Sequence, residues 1–222
     1  VSTLLFRGEL RRIDEHGQWT GIYKQPVDEP IRIGFSGLDG DRQADRRVHG
    51  GLEKAVHFYP VDHYRYLATR FPAIAEQLVA GSIGENLSAG DLDEKTVFIG
   101  DIFRLGGVRL QVTQPRSPCW KIDARYGFDG LAQAIATTGV TGWYFRVLDE
   151  GMVDPGDELR RVERLPDAIS LAESWQVWRE HRPETRRLER LLAAPGLTDG
   201  WREKVRNRLL WLVGKQADDP SV

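Results

Sequence analysis

Cysteine is nearly absent from this chain: Cys119 is the single one in 222 residues. No internal disulfide can form, and a zinc or iron–sulfur centre built on paired cysteines is excluded. Neither sign of charge is in excess, with 31 Lys and Arg against 33 Asp and Glu. A net charge of −2 gives no whole-molecule attraction to nucleic acid or to an anionic membrane surface. The aromatic residues are not interleaved with basic ones at a pitch that suggests base stacking, so no nucleic acid and no membrane is expected as a partner. No apolar run approaches the ~20 residues of a membrane helix. The opening Val1–Arg7 lacks a basic stretch followed by a long apolar one. No secretory signal is therefore expected, and a cytoplasmic location is favoured. A Gly-x-Ser-x-Gly elbow, a Walker loop and a dinucleotide fingerprint are all missing, which argues against a hydrolase triad and the common nucleotide sites. No residue is singled out as an attachment point for pyridoxal phosphate.

A hydrophobic fraction of 41% and a charged fraction of 29% are those of an ordinary globular protein. Short strands punctuated by glycine dominate residues 1–165. Leu4–Ile13 reads as an opening strand, Arg32-Ile33 as a short apolar piece, and Ala55–Tyr59 as a strand from its β-branched and aromatic content. Pro60 opens a helix through Arg70, and a short helix follows over Pro72–Val79. The clearest β signal is Thr96–Thr113, where Ile102–Leu105 and Val108–Val112 flank Gly106-Gly107 as a hairpin loop. Leu131–Ala136 reads as helix, Trp143–Leu148 as strand, and Asp154–Asp157 as a turn before a last strand, Glu158–Val162. This pattern predicts a mainly β, barrel-like or sandwich core.

Residues 166–222 read as a small three-helix extension. Ser170-Leu171-Ala172-Glu173 is a capping box. Leu188, Leu191 and Leu192 recur at helical spacing. Thr198 caps a third helix with Trp201, Val205, Leu209 and Leu212 on one side, and Gly214 ends it. The segment reads as a packing or docking element without chemistry of its own.

Cys119 stands in Gln114-Pro115-Arg116-Ser117-Pro118-Cys119-Trp120-Lys121. The prolines stiffen the approach to it, and Arg116 and Lys121 supply positive charge that favours thiolate over thiol. Such a thiol suits a nucleophile or a soft-metal ligand, although a lone cysteine is more commonly a small buried hydrophobe. Gly37–Arg42 and Val48-His49-Gly50-Gly51 bracket a loop with Arg46 and Arg47, and Lys54 follows. Glycine-rich backbone and arginine together suit an anion, while a solvated turn is the plainer reading. Calcium binding by Asp39, Asp41 and Asp45 is weaker, since the calcium-loop spacing is missing. His49, His57 and His63 lack the i, i+4 spacing of a metal motif. His57 reads as a core or wall histidine and His49 as the better site candidate. Glu85 and Asn86 are polar beside apolar Ile83 and Leu87, and suit ligand binding or a turn.

Taken in order, Gly37–Asp41, Val48–Gly51, Gly84-Glu85-Asn86-Leu87, Gly100-Asp101, Gln114–Cys119, Thr138–Tyr144 and Pro155–Asp157 resemble the MOSC family. The C-terminal helices resemble the extension of its YiiM-like subgroup. The resemblance implies a twisted β-barrel and binding of the molybdenum cofactor, molybdopterin. It further implies reduction of N-hydroxylated bases such as 6-hydroxylaminopurine, with electrons from a separate flavoprotein reductase. Cys119 would then be the molybdenum ligand. Gly50, Gly51, Lys54, Asn86, Arg116, Ser117 and Lys121 would hold the cofactor, and His49 and Glu85 would be the candidates for proton delivery. A homodimer is compatible with this reading. Two alternatives stay open: a sulfur carrier with a persulfide on Cys119, and a cofactor carrier without turnover.

Overall fold

The computed structural model describes residues 2–13, 17–45 and 50–218. β1 (Leu4–Arg7) buries Leu5 and Phe6, but the strand expected to reach Ile13 breaks at Gly8. There the Gly8 N–H donates to Asp41 Oδ1 at 2.8 Å, and the Gly8 carbonyl accepts the Arg42 N–H at 2.9 Å. A Cβ at this position would stand 2.4 Å from the Tyr23 carbonyl oxygen, so the chain turns where only glycine fits. β2 (Arg11–Arg12) resumes beyond the break and pairs with β3 (Trp19–Thr20).

β4 (Gln25–Pro26), β5 (Ile31–Gly34), β6 (Gly37–Leu38) and β7 (Val56–Phe58) follow. α1 (Val61–Arg70) begins directly after Pro60, as expected, and the short helix at Pro72 is a 3-10 turn ending at Gln77. After β8 (Leu87–Ser88) come β9 (Ile102–Leu105) and β10 (Val108–Pro115), the anticipated hairpin about Gly106-Gly107. Residues 97–99 carry β-like side chains but do not extend β9. Their backbone bonds instead to residues 169–171, with the Ile99 N–H on the Ile169 carbonyl at 2.9 Å. α2 (Lys121–Tyr126) was not anticipated. α3 (Leu131–Thr138), β11 (Trp143–Asp149), β12 (Gly151–Val153) and β13 (Arg160–Glu163) complete the barrel portion.

Eight strands form one curled sheet in the order β13-β9-β10-β11-β7-β8-β1-β4, antiparallel except where β7 meets β8. A bridge between Ser2 and Glu158 joins the chain ahead of β1 to the chain ahead of β13. The β13 end of the sheet thereby approaches β1, next to the opposite end, and the sheet curls into a half-barrel. Inside, Phe58 stacks on Trp143 with ring centroids 4.4 Å apart.

The extension contains α4 (Leu171–Arg179), α5 (Thr185–Leu192) and α6 (Asp199–Asp218). Ser170 Oγ accepts the Glu173 N–H at 3.0 Å, while the Glu173 carboxylate binds Arg190 at 2.8 Å instead of turning back to the helix start. Gly214 does not end α6, which continues to Asp218. A glycine inside a helix costs only about 1 kcal/mol relative to alanine, and Lys215-Gln216-Ala217 are good helix formers. Leu171, Trp175, Leu188, Trp201 and Val205 share one apolar cluster with Phe103, Val112 and Phe145 of the sheet. Sheet and extension are thus held by one continuous core.

Candidate functional site

β10 and β11 run together to the pairs Gln114↔Tyr144 and Pro115↔Trp143, and β7 places His57 opposite Tyr144. Proline at 115 cannot donate to a further ladder bond, so the chain leaves the sheet there. The Arg116 N–H donates to the Gly142 carbonyl at 3.0 Å. The chain then turns through Pro118 and Cys119 into α2, with the Ile122 N–H on the Cys119 carbonyl at 3.0 Å.

Cys119, Arg116, Lys54, Asn86 and Lys121, five of the expected residues, line one cleft together with His57 and Tyr144. It encloses about 610 Å³, open solvent at its mouth included. Cys119 is partly exposed there. Arg116 is only 5% exposed, and its guanidinium is hydrogen-bonded to the Tyr144 phenol. Its Nη1 has no hydrogen-bond partner among the described residues. A buried cationic donor left without an acceptor is costly, so an anion or strong acceptor in the cleft would relieve it. Burial raises the Tyr144 pKa, with the nearby Arg116 charge opposing that rise. Burial also lowers the pKa of half-buried Lys54, and the charge of Lys204 adds to the effect.

Two of the expected cofactor contacts are engaged by backbone. Lys121 Nζ donates to the Trp19 carbonyl at 2.7 Å. Asn86 Oδ1 accepts the His57 N–H at 3.1 Å, and its Nδ2 donates to the Phe6 carbonyl at 3.3 Å. Asn86 therefore stitches β1 to β7 and shapes the wall.

Glu85, expected to bind a ligand, hold a site loop or make a turn and a candidate for proton delivery, does not line this cleft. It is fully buried behind the wall, outside the cleft lining, where Tyr64 Oη and the Gly81 N–H each donate to Oε1 at 2.6 Å. Burial raises its pKa against the lowering by the Tyr64 hydrogen bond. Gly50, Gly51 and Ser117 line a neighbouring cleft between the sheet and α6, and Lys54 and Tyr144 border both. His49, with Arg46 and Arg47, lies outside the described residues.

The acidic triplet considered for calcium is not assembled. Asp41 forms a buried ion pair with Lys24, whereas Asp39 is exposed and faces Arg32 at 3.9 Å. Sequence reasoning missed Lys24 and Tyr144 as parts of this wall. Tyr144 was legible as the last residue of the Thr138–Tyr144 motif, with no site role attached to it. Lys24 carried no local signal, since its partner stands 17 positions away. Among the described residues no cluster of three or more His, Cys, Asp or Glu could hold a metal. Nor is any helix among them long and apolar enough to cross a membrane.

The family model for the MOSC domain matches residues 45–160, which include Cys119, Arg116, Lys54, Asn86, His57 and Tyr144 of the cleft and most of the sheet. The chain belongs to the MOSC domain family. Protein YiiM of Escherichia coli (strain K12) is 38% identical over 207 residues, covering 93% of this chain and 91% of that protein. The crystal structure of YiiM from Escherichia coli superposes with a TM-score of 0.79 at 32% identity, covering 94% of this chain and 92% of that one. YiiM thus shares the MOSC core and the helical extension. A protein of Gibberella moniliformis named "Reductase" is 38% identical over 146 residues, which is 65% of this chain and 26% of that protein.

Proposed function

We propose that this MOSC protein is a reductase of N-hydroxylated compounds, of the 6-hydroxylaminopurine type, that uses the molybdenum cofactor with Cys119 as the protein's ligand to the metal. The carrying observation is one cleft that brings together a single accessible thiol and a buried guanidinium with a donor unmet among the described residues. The donor set fits the cofactor. With no cluster of metal-binding side chains among the described residues, a metal here needs its other donors from a bound group, and thiolate is the apt partner for a soft site. The relative named as a reductase supports the reaction class.

When bound, the cofactor supplies two-electron transfer next to the substrate. The overall change is R–NHOH + 2e⁻ + 2H⁺ → R–NH₂ + H₂O, in which the N–O bond breaks and the oxygen leaves as water. A separate flavoprotein reductase supplies the electrons. In the chain, Cys119 presents sulfur, Arg116 donates to the anionic part of the cofactor, and Lys54 adds charge at the border of the two clefts. Tyr144 holds the Arg116 guanidinium, and His57 and Tyr144 close the wall against bulk water.

Production in a host that makes the cofactor tests this. The expected result is near-stoichiometric molybdenum by mass spectrometry of the metal, and turnover of 6-hydroxylaminopurine with an artificial donor. Cys119→Ser loses both. Retention of metal and turnover in that variant overturns the ligand role, while a sulfur-sized mass addition on Cys119 after incubation with a desulfurase favours a persulfide carrier.

A further inference from the structure

Glu94 is 4% exposed and uses both carboxylate oxygens. Oε1 accepts the Gly142 N–H at 2.7 Å, and Oε2 meets His63 Nε2 at 2.8 Å. Gly142 in turn accepts the Arg116 N–H at its carbonyl, at 3.0 Å. Gly142 has φ +67, and a Cβ there would lie 2.4 Å from the Phe58 carbonyl oxygen, so this link admits no side chain. The Glu94 carbonyl accepts the Ala172 N–H, in the first turn of α4, at 2.7 Å. From the same helix, Trp175 Nε1 donates to the Ala136 carbonyl at 2.9 Å, on the element leading into the Gly139–Gly142 loop.

We infer that Glu94 is a positioning residue for Arg116, and that α4 of the extension braces it. The chain of contacts runs from α4 through Glu94 and Gly142 to the backbone of the residue whose side chain carries the unmet donor. A carboxylate gripping one N–H and one histidine fixes the height of the loop, and with it the place of the guanidinium. The extension then contributes to the cleft without lining this part of it. The inference rests on the reading of the cleft as an anion site only for its effect on binding.

The test compares Glu94→Ala and Glu94→Gln in the full chain. Glutamine keeps an acceptor for Gly142 and a donor toward the His63 ring. Two readouts apply: hydrogen exchange of peptides covering residues 114–118 and 139–144, and protection of Cys119 from iodoacetamide by inorganic phosphate. In Glu94→Ala, exchange in both segments rises about tenfold, and so does the phosphate concentration giving half protection, the scale of one lost hydrogen bond. Glu94→Gln stays within about twofold of the parent in both, a rescue that volume alone does not provide. If Glu94→Ala does not fold, Glu94→Asp, one methylene too short to reach both partners, is judged by the same criteria. Unchanged exchange at residues 114–118 with an unchanged phosphate midpoint overturns the inference. Absence of phosphate protection in the parent protein removes the anion reading instead, and exchange at Arg116 still decides the role of Glu94.

Discussion

The Thr198 hydroxyl donates to Gln114 Oε1 at 2.6 Å, joining the start of α6 to the strand that delivers Arg116. Both residues are buried, at 2% and 7% exposure. The same hydroxyl accepts the Trp201 N–H at 3.2 Å and so caps the helix. Replacing it with valine keeps the shape, removes the cap and leaves the Gln114 oxygen without its donor. Thr198→Val is expected to lower stability by about 2 kcal/mol, the sum of a lost cap and a lost buried hydrogen bond. Urea unfolding measures this, and a change below about 0.5 kcal/mol would show that the junction is not held by this contact.

Arg116 carries a donor that the described residues do not satisfy. Arg116→Met keeps much of the aliphatic volume and removes both the charge and the donors. Folding is expected to be retained, since the parent's unmet donor is itself unfavourable. Molybdenum retained after dialysis is expected to fall at least about tenfold, as hydrogen bonds to a charged group are worth about 1.5–3 kcal/mol. Equal retention in parent and variant would remove Arg116 from the binding set.

The raised pKa of Glu85 makes a signed prediction. Its folded-state pKa lies above the unfolded value of 4.5, so the native state holds the proton more tightly. Stability from this group is full below that value and is lost as pH rises through the folded pKa. Glu85→Gln lacks the titration and keeps an acceptor for Tyr64 and Gly81. The variant is therefore expected to gain on the parent as pH rises from 4.5 through the folded-state pKa in parallel urea titrations. A parent-minus-variant difference that stays flat over that range would contradict the assignment.

Much of the architecture was open to sequence reasoning because it depends on near neighbours. The β9–β10 hairpin follows from two glycines between alternating apolar runs, and Ser170 and Thr198 mark helix starts through their own hydroxyls. The break at Gly8 was not legible, because its cause is the carboxylate of Asp41, 33 positions on. Gly214 misled for a related reason: glycine ends a helix only where the chain adopts a left-handed turn, and here it stays helical.

The cleft divides in the same way. Arg116, Cys119, Lys54, Asn86 and Lys121 were named from their motifs and do line it, whereas Glu85 is drawn behind the wall by Tyr64 and Gly81. The identity of the lone thiol, its proline-stiffened approach and the membership of the family are properties of the linear order of residues. Which groups face the cleft, that Lys24 joins Asp41, and that Glu94 joins a helix of the extension to Gly142 were decided only by folding. Hydrogen bonds and ion pairs act over about 3 Å, and residues far apart in the chain come within that distance only once the sheet has curled.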